Sequence, residues 1–470
     1  MTYHPEPLKQ RQRVAGRIAE AIAADADDLV HDLRSDIRRD DAESLTAEII
    51  PLCAALKHLS RHAESILRPR RVGWRGRPPW LWNIRQTVSR VPHGDVLILG
   101  TWNYPLFLTA SQAAGSFVAG NRTIIKPAPG TTNVLRRWID LAVHCGCPPD
   151  AFKLLGETVA DATAAIDDRP DLVVMTGSAT TAKAVLKRCA DALIPTIIEA
   201  SGCDAMVVLP GADLEHAAKL FRFGWKLNSG ATCIAPRRLM VPRQDANRFR
   251  DILLELCKDD PPLSVHPAAR DSAASILRAA VAEGGELWTG RLPPIDDDWK
   301  TLTPTLVQCS TAANPILSAD VFAPLSGVLI YDDVDAVAEL VNDCPYALAA
   351  SVIGPADQAR NIAKRLVVGT VVINDIVLPT ADPRVPFGGR RMSGFGVTRG
   401  DEGLRQMTAV RVIAEQRSRL CPHLWPRKSS DAELFQGLLT SLYARGGRRI
   451  SGMAKVVRAG RQSMDENPAS

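Results

Sequence analysis

The feature that most constrains this chain is a regular alternation of short apolar runs with turns and helices. Runs at 96–99, 123–126, 152–155, 172–175 and 194–198 are each followed by a turn and then a helical stretch, such as the amphipathic 182–192. Strands alternating with helices predict a parallel sheet with crossover helices. A second series, at 205–209, 238–241, 325–331 and 368–374, predicts a second α/β unit. A cleft between two such units is the default place for a ligand. Ahead of the first series, Val14, Ile18, Ile22, Leu29 and Leu33 recur at helical spacing, so about 10–67 reads as helices. Residues 68–82, rich in Arg, Pro and Trp, read as an irregular crossing segment.

The 470 residues allow about three structural units at roughly 150 residues each. Net charge is +5, and it is localised. From Ser418 to Ser470 there are nine Lys/Arg and four Asp/Glu, which leaves 48 and 48 in the rest of the chain. A neutral body argues against a nucleic-acid-binding face. Ten scattered cysteines have no framework spacing and read as reduced thiols of a cytoplasmic protein. Cys145 and Cys147 are close, but nothing nearby completes a zinc site, so no metal is expected. The polar, basic stretch 1–14 does not read as a signal peptide, and no apolar run approaches the ~18 residues of a spanning helix.

Four segments carry candidate chemistry, each with a plainer alternative. In Thr101-Trp102-Asn103-Tyr104-Pro105, straight after a strand, Asn103 either points its amide into a cleft or caps the next helix. Lys126, at a strand end before Pro127, suits a ribose or phosphate, or is merely solvated. Gly177-Ser178 opens a helix whose N-terminus attracts phosphate, or is an ordinary turn. Cys233, in Asn228-Ser229-Gly230-Ala231-Thr232-Cys233-Ile234-Ala235-Pro236-Arg237-Arg238, sits in a small glycine-containing loop where a usable thiolate can form, or is a core thiol.

The order of these segments resembles the aldehyde dehydrogenase superfamily, and the similarity runs to about Thr408. The Thr-Trp-Asn-Tyr-Pro setting resembles its class 3-like branch of fatty-aldehyde or coniferyl-aldehyde dehydrogenases. Glu199, in Ile198-Glu199-Ala200-Ser201-Gly202, falls on the family's general base. Asp320-Val321-Phe322-Ala323-Pro324 and Pro386-Phe387-Gly388-Gly389 with Ser393-Gly394 match two further signatures. The resemblance implies an α/β fold: a Rossmann-like cofactor domain with the N-terminal helices over 1–200, and a catalytic domain over 201–408. It further implies a small oligomerisation element, with a crossing segment at 68–91 and a strand at 409–417, followed by the basic tail 418–470.

The implied reaction oxidises an aldehyde to a carboxylic acid with NAD or NADP. Cys233 is the nucleophile, forming a thiohemiacetal and then a thioester. Asn103 and the Cys233 N–H stabilise the oxyanion, and Glu199 activates the hydrolytic water. Lys126, Gly177, Ser178, Asp320, Phe322, Thr101 and Trp102 are the implied cofactor contacts, with Asp320 directed to the nicotinamide ribose. Two other readings stand beside this one: an acylating or acyl-reducing relative, and a dinucleotide-binding pseudoenzyme with a structural role. The branch leans toward medium or long aliphatic, or aromatic, aldehydes.

The match departs in places. Ala128 and Pro129 stand where NAD-preferring members often carry a Glu, which makes NADP plausible, and Cys203 replaces a Lys after Glu199. Asp320 and Ala323 replace Glu and Gly. The expected assembly is a homodimer or a dimer of dimers. In the tail, Ser430 is placed to cap a helix carrying Leu434, Phe435, Leu438, Leu439 and Leu442. A basic stretch follows. Peripheral membrane contact through it is the secondary reading; a helix packed on the body with a solvated basic end is the primary one.

Overall fold

A computed structural model of the chain describes residues 5–38, 40–294, 299–419, 421–424 and 426–465. The chain divides into two units: one of residues up to Arg70 with Val88–Arg411, the other of Arg71–Thr87 with Val412–Ser470.

Two sheets organise the larger unit. The first has six strands in the order Gly394–Phe395, Thr196–Ala200, Leu172–Gly177, Asp95–Leu99, Arg122–Lys126, Phe152–Leu154. All neighbours run parallel except Gly394–Phe395, which pairs antiparallel to Thr196–Ala200. The central strand Asp95–Leu99 shows why a nearly all-apolar run lands there. Val96 and Ile98 face a core built with the N-terminal helices, while Leu97 and Leu99 face a second core on the opposite side. A strand buried on both faces has no room for polar alternation.

The second sheet has seven strands in the order Glu286–Thr289, Thr305–Cys309, Leu325–Tyr331, Pro236–Pro242, Asp204–Val208, Ala349–Ile353, Thr370–Ile373. Only Glu286–Thr289 is antiparallel to its neighbour. Here too Met206 and Val208 face one core, Ala205 and Val207 the other. The α/β reading with two successive parallel sheets is therefore what the chain forms.

Differences from the sequence reading have local causes. The strand expected at 194–198 spans Thr196–Ala200. Leu193 takes a left-handed φ of 54°, and Pro195 has no N–H to give to a ladder, so the strand starts two residues later. The helical N-terminal region holds, as Leu8–Ala24, Ala26–Leu33 and Ile50–Ile66, with a π-helical turn at Leu45–Ile49.

The smaller unit has strands that belong to a three-stranded sheet in the order Arg70–Arg71, Ile84–Pro92, Thr408–Gln416. Part of the expected irregular segment 68–82 thus contributes a short strand. Its C-terminal half is a pair of helices, Asp431–Tyr443 and Gly447–Asp465. The basic stretch read as a solvated end is therefore the second helix of that pair. Ser430 stands at the expected cap position but its side chain makes no capping bond; its φ/ψ of −78°/−11° is already helical, whereas a capping hydroxyl needs an extended residue. Asp431 instead accepts from the Lys428 N–H at 3.0 Å.

Candidate active site

In the first sheet the connections leave in opposite directions on the two sides of Asp95–Leu99, so a crevice opens beyond the C-terminal ends of that strand and Leu172–Gly177. Gly100, Lys126, Gly177 and Glu199 are all strand-end residues. With Thr101, Trp102, Asn103, Ser178, Cys233, Asp320 and Phe322 they line one cavity of about 1310 Å³. All ten residues singled out from the sequence are brought to that cavity.

The loop that carries Cys233 is shaped by backbone conformation. After helix Leu214–Lys226, residues Asn228, Ser229 and Gly230 take left-handed φ values of 52°, 54° and 77°. A Cβ on Gly230 would lie 2.5 Å from the backbone of Ala323 and Pro324, so the loop needs glycine on two counts. The buried Arg237 guanidinium donates to Gly230 O at 2.6 Å and Ala323 O at 2.9 Å. Tyr104 and Thr232 hydroxyls meet at 2.6 Å. Cys233 is half-buried. Burial pushes its thiol up to about 12, with Asp204, Glu199 and Asp320 acting in the same direction and Arg399 against it.

Asn103 is buried and held at both ends of its side chain. The Thr101 hydroxyl donates to Oδ1 at 2.7 Å, and Nδ2 donates to Ala231 O at 2.9 Å, which ties the amide to the Cys233 loop. Nδ2 carries a second hydrogen for a ligand oxygen. The backbone carbonyl of Asn103 accepts from Asn228 Nδ2 at 2.8 Å and from Arg38. The helix-capping alternative for Asn103 is not realised. The next helix is Phe107–Ala119, and Glu48 takes the Leu106 and Phe107 N–H groups at 3.1 and 2.6 Å. Glu48 in turn pairs with Arg38 at 2.7 Å, both side chains buried.

Glu199 lies between two elements that are remote in sequence. Its backbone pairs with Thr176 on one side and Gly394 on the other. Thr398 Oγ1 donates to Oε1, and Gln112 Nε2 lies 3.4 Å from Oε2. Burial raises its carboxyl above the ordinary range; Arg399, Thr398 and Gln112 pull the other way. A raised carboxyl is what a general base working near neutral pH requires. Arg399 stacks its guanidinium on Phe387 at 4.0 Å and donates to Thr380 O at 2.9 Å.

The remaining positions form the rest of the cavity wall. Ser178 caps helix Ala179–Asp191 through a bond from Thr181 N at 3.2 Å, so that helix N-terminus faces the cavity. Burial lowers the Lys126 ammonium, opposed by Asp161 and Glu157. Trp102 stacks on His266 at 4.0 Å and meets the Phe322 ring edge at 5.6 Å. Asp320 gives one oxygen to the Ser201 hydroxyl; its other oxygen is buried without a partner among the described residues. An unsatisfied carboxylate oxygen in a cavity wall fits a ribose hydroxyl.

Sequence reasoning missed Arg38, Glu48, Gln112, Thr398 and Arg399, and gave Asn228 and Arg237 in the Cys233 segment no role of their own. One signal was available: two adjacent arginines in the otherwise apolar Pro236–Pro242 strand demand buried acceptors. The others become neighbours only through the tertiary fold.

Residues 2–413 match the family model described as the aldehyde dehydrogenase family. The chain is 30% identical over 453 residues to a 4,4'-diapolycopene aldehyde oxidase of Methylomonas sp, covering 93% of this chain and 84% of the relative. It is 27% identical over 405 residues to a probable coniferyl aldehyde dehydrogenase of Caulobacter vibrioides, covering 81% and 80%. Among solved structures, an NAD-dependent aldehyde dehydrogenase from Sinorhizobium meliloti superposes with a TM-score of 0.83 at 22% identity, covering 89% of this chain and 84% of that one.

Proposed function

The chain belongs to the aldehyde dehydrogenase family and oxidises aldehydes to carboxylic acids with NAD(P)+, and from that premise we propose that Cys233 is the nucleophile, Asn103 an oxyanion donor and Glu199 the hydrolytic base. The observation that carries the assignment is the bond from Asn103 Nδ2 to Ala231 O, two residues before Cys233. It holds an amide donor beside the thiol while leaving that donor's second hydrogen available.

Cys233 passes its proton to solvent water, and its sulfur adds to the aldehyde carbon, moving the carbonyl electrons onto oxygen. The Asn103 amide and the Cys233 N–H are the donors for that oxygen, worth about 3–4 kcal/mol each in comparable sites. When bound, the nicotinamide accepts the hydride that the collapsing adduct expels. Cys233 is then a thioester. Glu199 takes a proton from water, the water oxygen attacks the acyl carbon, and the carboxylic acid leaves as the thiol is restored. The raised carboxyl of Glu199 supports its role as the base.

Ser178 with the following helix N-terminus, Lys126 and Asp320 would hold the pyrophosphate and riboses, and Phe322 would pack against them. At the adenosine end the cavity is lined by Lys187 and Arg188 as well as Asp191, and Ala128 brings no acid, which supports use of NADP as well as NAD. The walls on the Cys233 side include Pro51, Phe107, Leu108, Phe223, Leu227 and Phe387. Such a lining suits an apolar aldehyde, aliphatic or aromatic. The relative from Methylomonas sp is named for a 4,4'-diapolycopene aldehyde, in keeping with that reading.

The proposed organisation is a cofactor domain over 1–200, a catalytic domain over 201–408, an oligomerisation strand at 409–417 and a basic tail. A homodimer is supported by Val410, Val412 and Ile413, which are exposed on the strand Thr408–Gln416. A cytoplasmic location is supported by ten cysteines that are all free thiols. The test of function is a panel of aliphatic and aromatic aldehydes run with NAD and NADP in parallel. Nicotinamide reduction with apolar aldehydes, lost in Cys233→Ala, is expected. A strict requirement for a thiol acceptor such as CoA would overturn hydrolysis, and no turnover with any aldehyde would overturn catalysis.

A further inference from the structure

The helix pair at the C-terminal end is built inside out for a water-soluble hairpin. Its contact surface is made of small residues. Gly437, Ser441, Gly452 and Ala459 are buried, and a Cβ on Gly452 would lie 2.5 Å from Ser441 N. A Cβ on Gly437 would lie 2.8 Å from Val456 N. Backbones this close leave no space between the helices for large side chains. Close approach through small residues is how helices pack where there is no hydrophobic drive to bury large ones.

Leu434, Leu438 and Val456 are half-buried, but the other large apolar residues point outward. On helix Asp431–Tyr443, Phe435, Leu439 and Leu442 recur at spacings of four and three, which puts them on one face. On helix Gly447–Asp465, Ile450, Met453 and Val457 do the same. All six are exposed, from 38% at Leu442 to 72% at Ile450. Between Arg445 and Arg461 the sequence has six cations and no acid. Arg449 and Arg461 flank the second stripe on the helical wheel at ~100° per residue. This tail also lies beyond residue 413, where the match to the family model ends.

We propose that the hairpin 431–465 docks the protein on an anionic lipid surface, its helices lying in the plane of the interface. Two apolar stripes with flanking arginines fit a headgroup layer, where the stripes enter the acyl boundary and the guanidinium groups meet phosphates. Charge selects this occupant over a second copy of the chain. Two such hairpins brought together would oppose like net charges of +3, six cations less Asp431, Glu433 and Asp465, whereas anionic headgroups neutralise them. The helices lie on the surface and do not cross it: no described helix is long and apolar enough to span a membrane. The inference is independent of the roles assigned to Cys233 and Glu199.

The test is co-sedimentation of the full-length protein with phosphatidylcholine vesicles containing about a quarter phosphatidylglycerol, against pure phosphatidylcholine vesicles. Binding to the anionic vesicles only, weakening as salt is raised, is expected. Arg449→Glu/Arg461→Glu should lower partitioning by on the order of tenfold or more. Leu439→Ser/Met453→Ser should lower it as well, with oxidation of a water-soluble aldehyde unchanged in both variants. Two results would overturn the proposal. One is equal recovery with both vesicle types, or with neither. The other is a smaller assembly in ultracentrifugation for the serine variant, which would make the face a contact between copies. Should a variant misfold, the salt dependence of the unaltered protein decides between the same outcomes.

Discussion

Arg38 and Glu48 form an ion pair at 2.7 Å whose side chains are 2% and 0% exposed. The two charges also link three remote segments. Arg38 donates to the Asn103 carbonyl and, at 3.2 Å, to Asn228 Oδ1, while Glu48 takes the first N–H groups of helix Phe107–Ala119. Glu48→Gln leaves a buried guanidinium without its counter-charge, at a cost of about 3–5 kcal/mol. The unfolding temperature should fall and kcat with it. Arg38→Met/Glu48→Leu should recover stability but not kcat, because the Asn103 carbonyl then keeps only its bond from Asn228 Nδ2. Thermal unfolding and steady-state kinetics decide; unchanged kcat in the double variant would show that the pair is only scaffold.

Glu199→Gln should separate the two halves of the reaction. About one equivalent of reduced nicotinamide per site is expected in a burst, followed by turnover slowed by roughly 10²–10⁴-fold. Intact-mass measurement should find the acyl group on Cys233. Full turnover by this variant would remove Glu199 from the hydrolytic step.

The Cys233 thiol, raised to about 12 by burial, is protonated at neutral pH in the ligand-free protein. Alkylation by iodoacetamide should therefore climb roughly tenfold per pH unit above 7, because only the thiolate reacts. Arg399→Met removes the cation that opposes the shift and should slow alkylation further at each pH. A rate that levels off below pH 9 would contradict the reading of this pocket.

Ala128→Glu restores a carboxylate near the end of the cavity that Lys187 and Arg188 line. The dissociation constant of NADP should rise at least tenfold, ~1.4 kcal/mol, relative to that of NAD. Titration by quenching of tryptophan fluorescence measures both. A parallel change for the two cofactors would mean that the 2′-phosphate lies elsewhere.

Gly230→Ala forces a Cβ into the Ala323–Pro324 backbone at a left-handed φ of 77°. The local strain is about 1–3 kcal/mol before the clash is counted. Aldehyde oxidation should fall more than cofactor affinity, since the distortion acts on the Cys233 loop. Retention of both would show that the loop tolerates a side chain there.

Much of this was legible in sequence because it depends on local pattern. Runs such as Val96–Leu99 must be strands buried on both faces, and Gly177-Ser178 must open a helix. Cys233, Asn103 and Glu199 could be picked out because ordered motifs surround them. Arg38 and Arg399 could not. Each is a cation whose burial makes sense only beside a partner from another part of the chain, Glu48 for one and the Phe387 ring for the other. Ser430 failed as a cap because a capping residue type does not fix the φ/ψ that capping needs. The first helix of the hairpin was visible as periodicity, but periodicity alone gives no indication of which face is covered.

Glu199 receives its hydroxyl partner from Thr398, 199 positions further along the chain, and its strand partner from Gly394. During synthesis Asn103, Glu199 and Cys233 are all made long before that segment emerges. A nascent chain halted near residue 390 has the thiol, the amide and the carboxylate, but nothing to fix the carboxylate's position. Competence is therefore acquired late and all at once, and an incomplete chain holds its reactive groups without the arrangement that lets them act together.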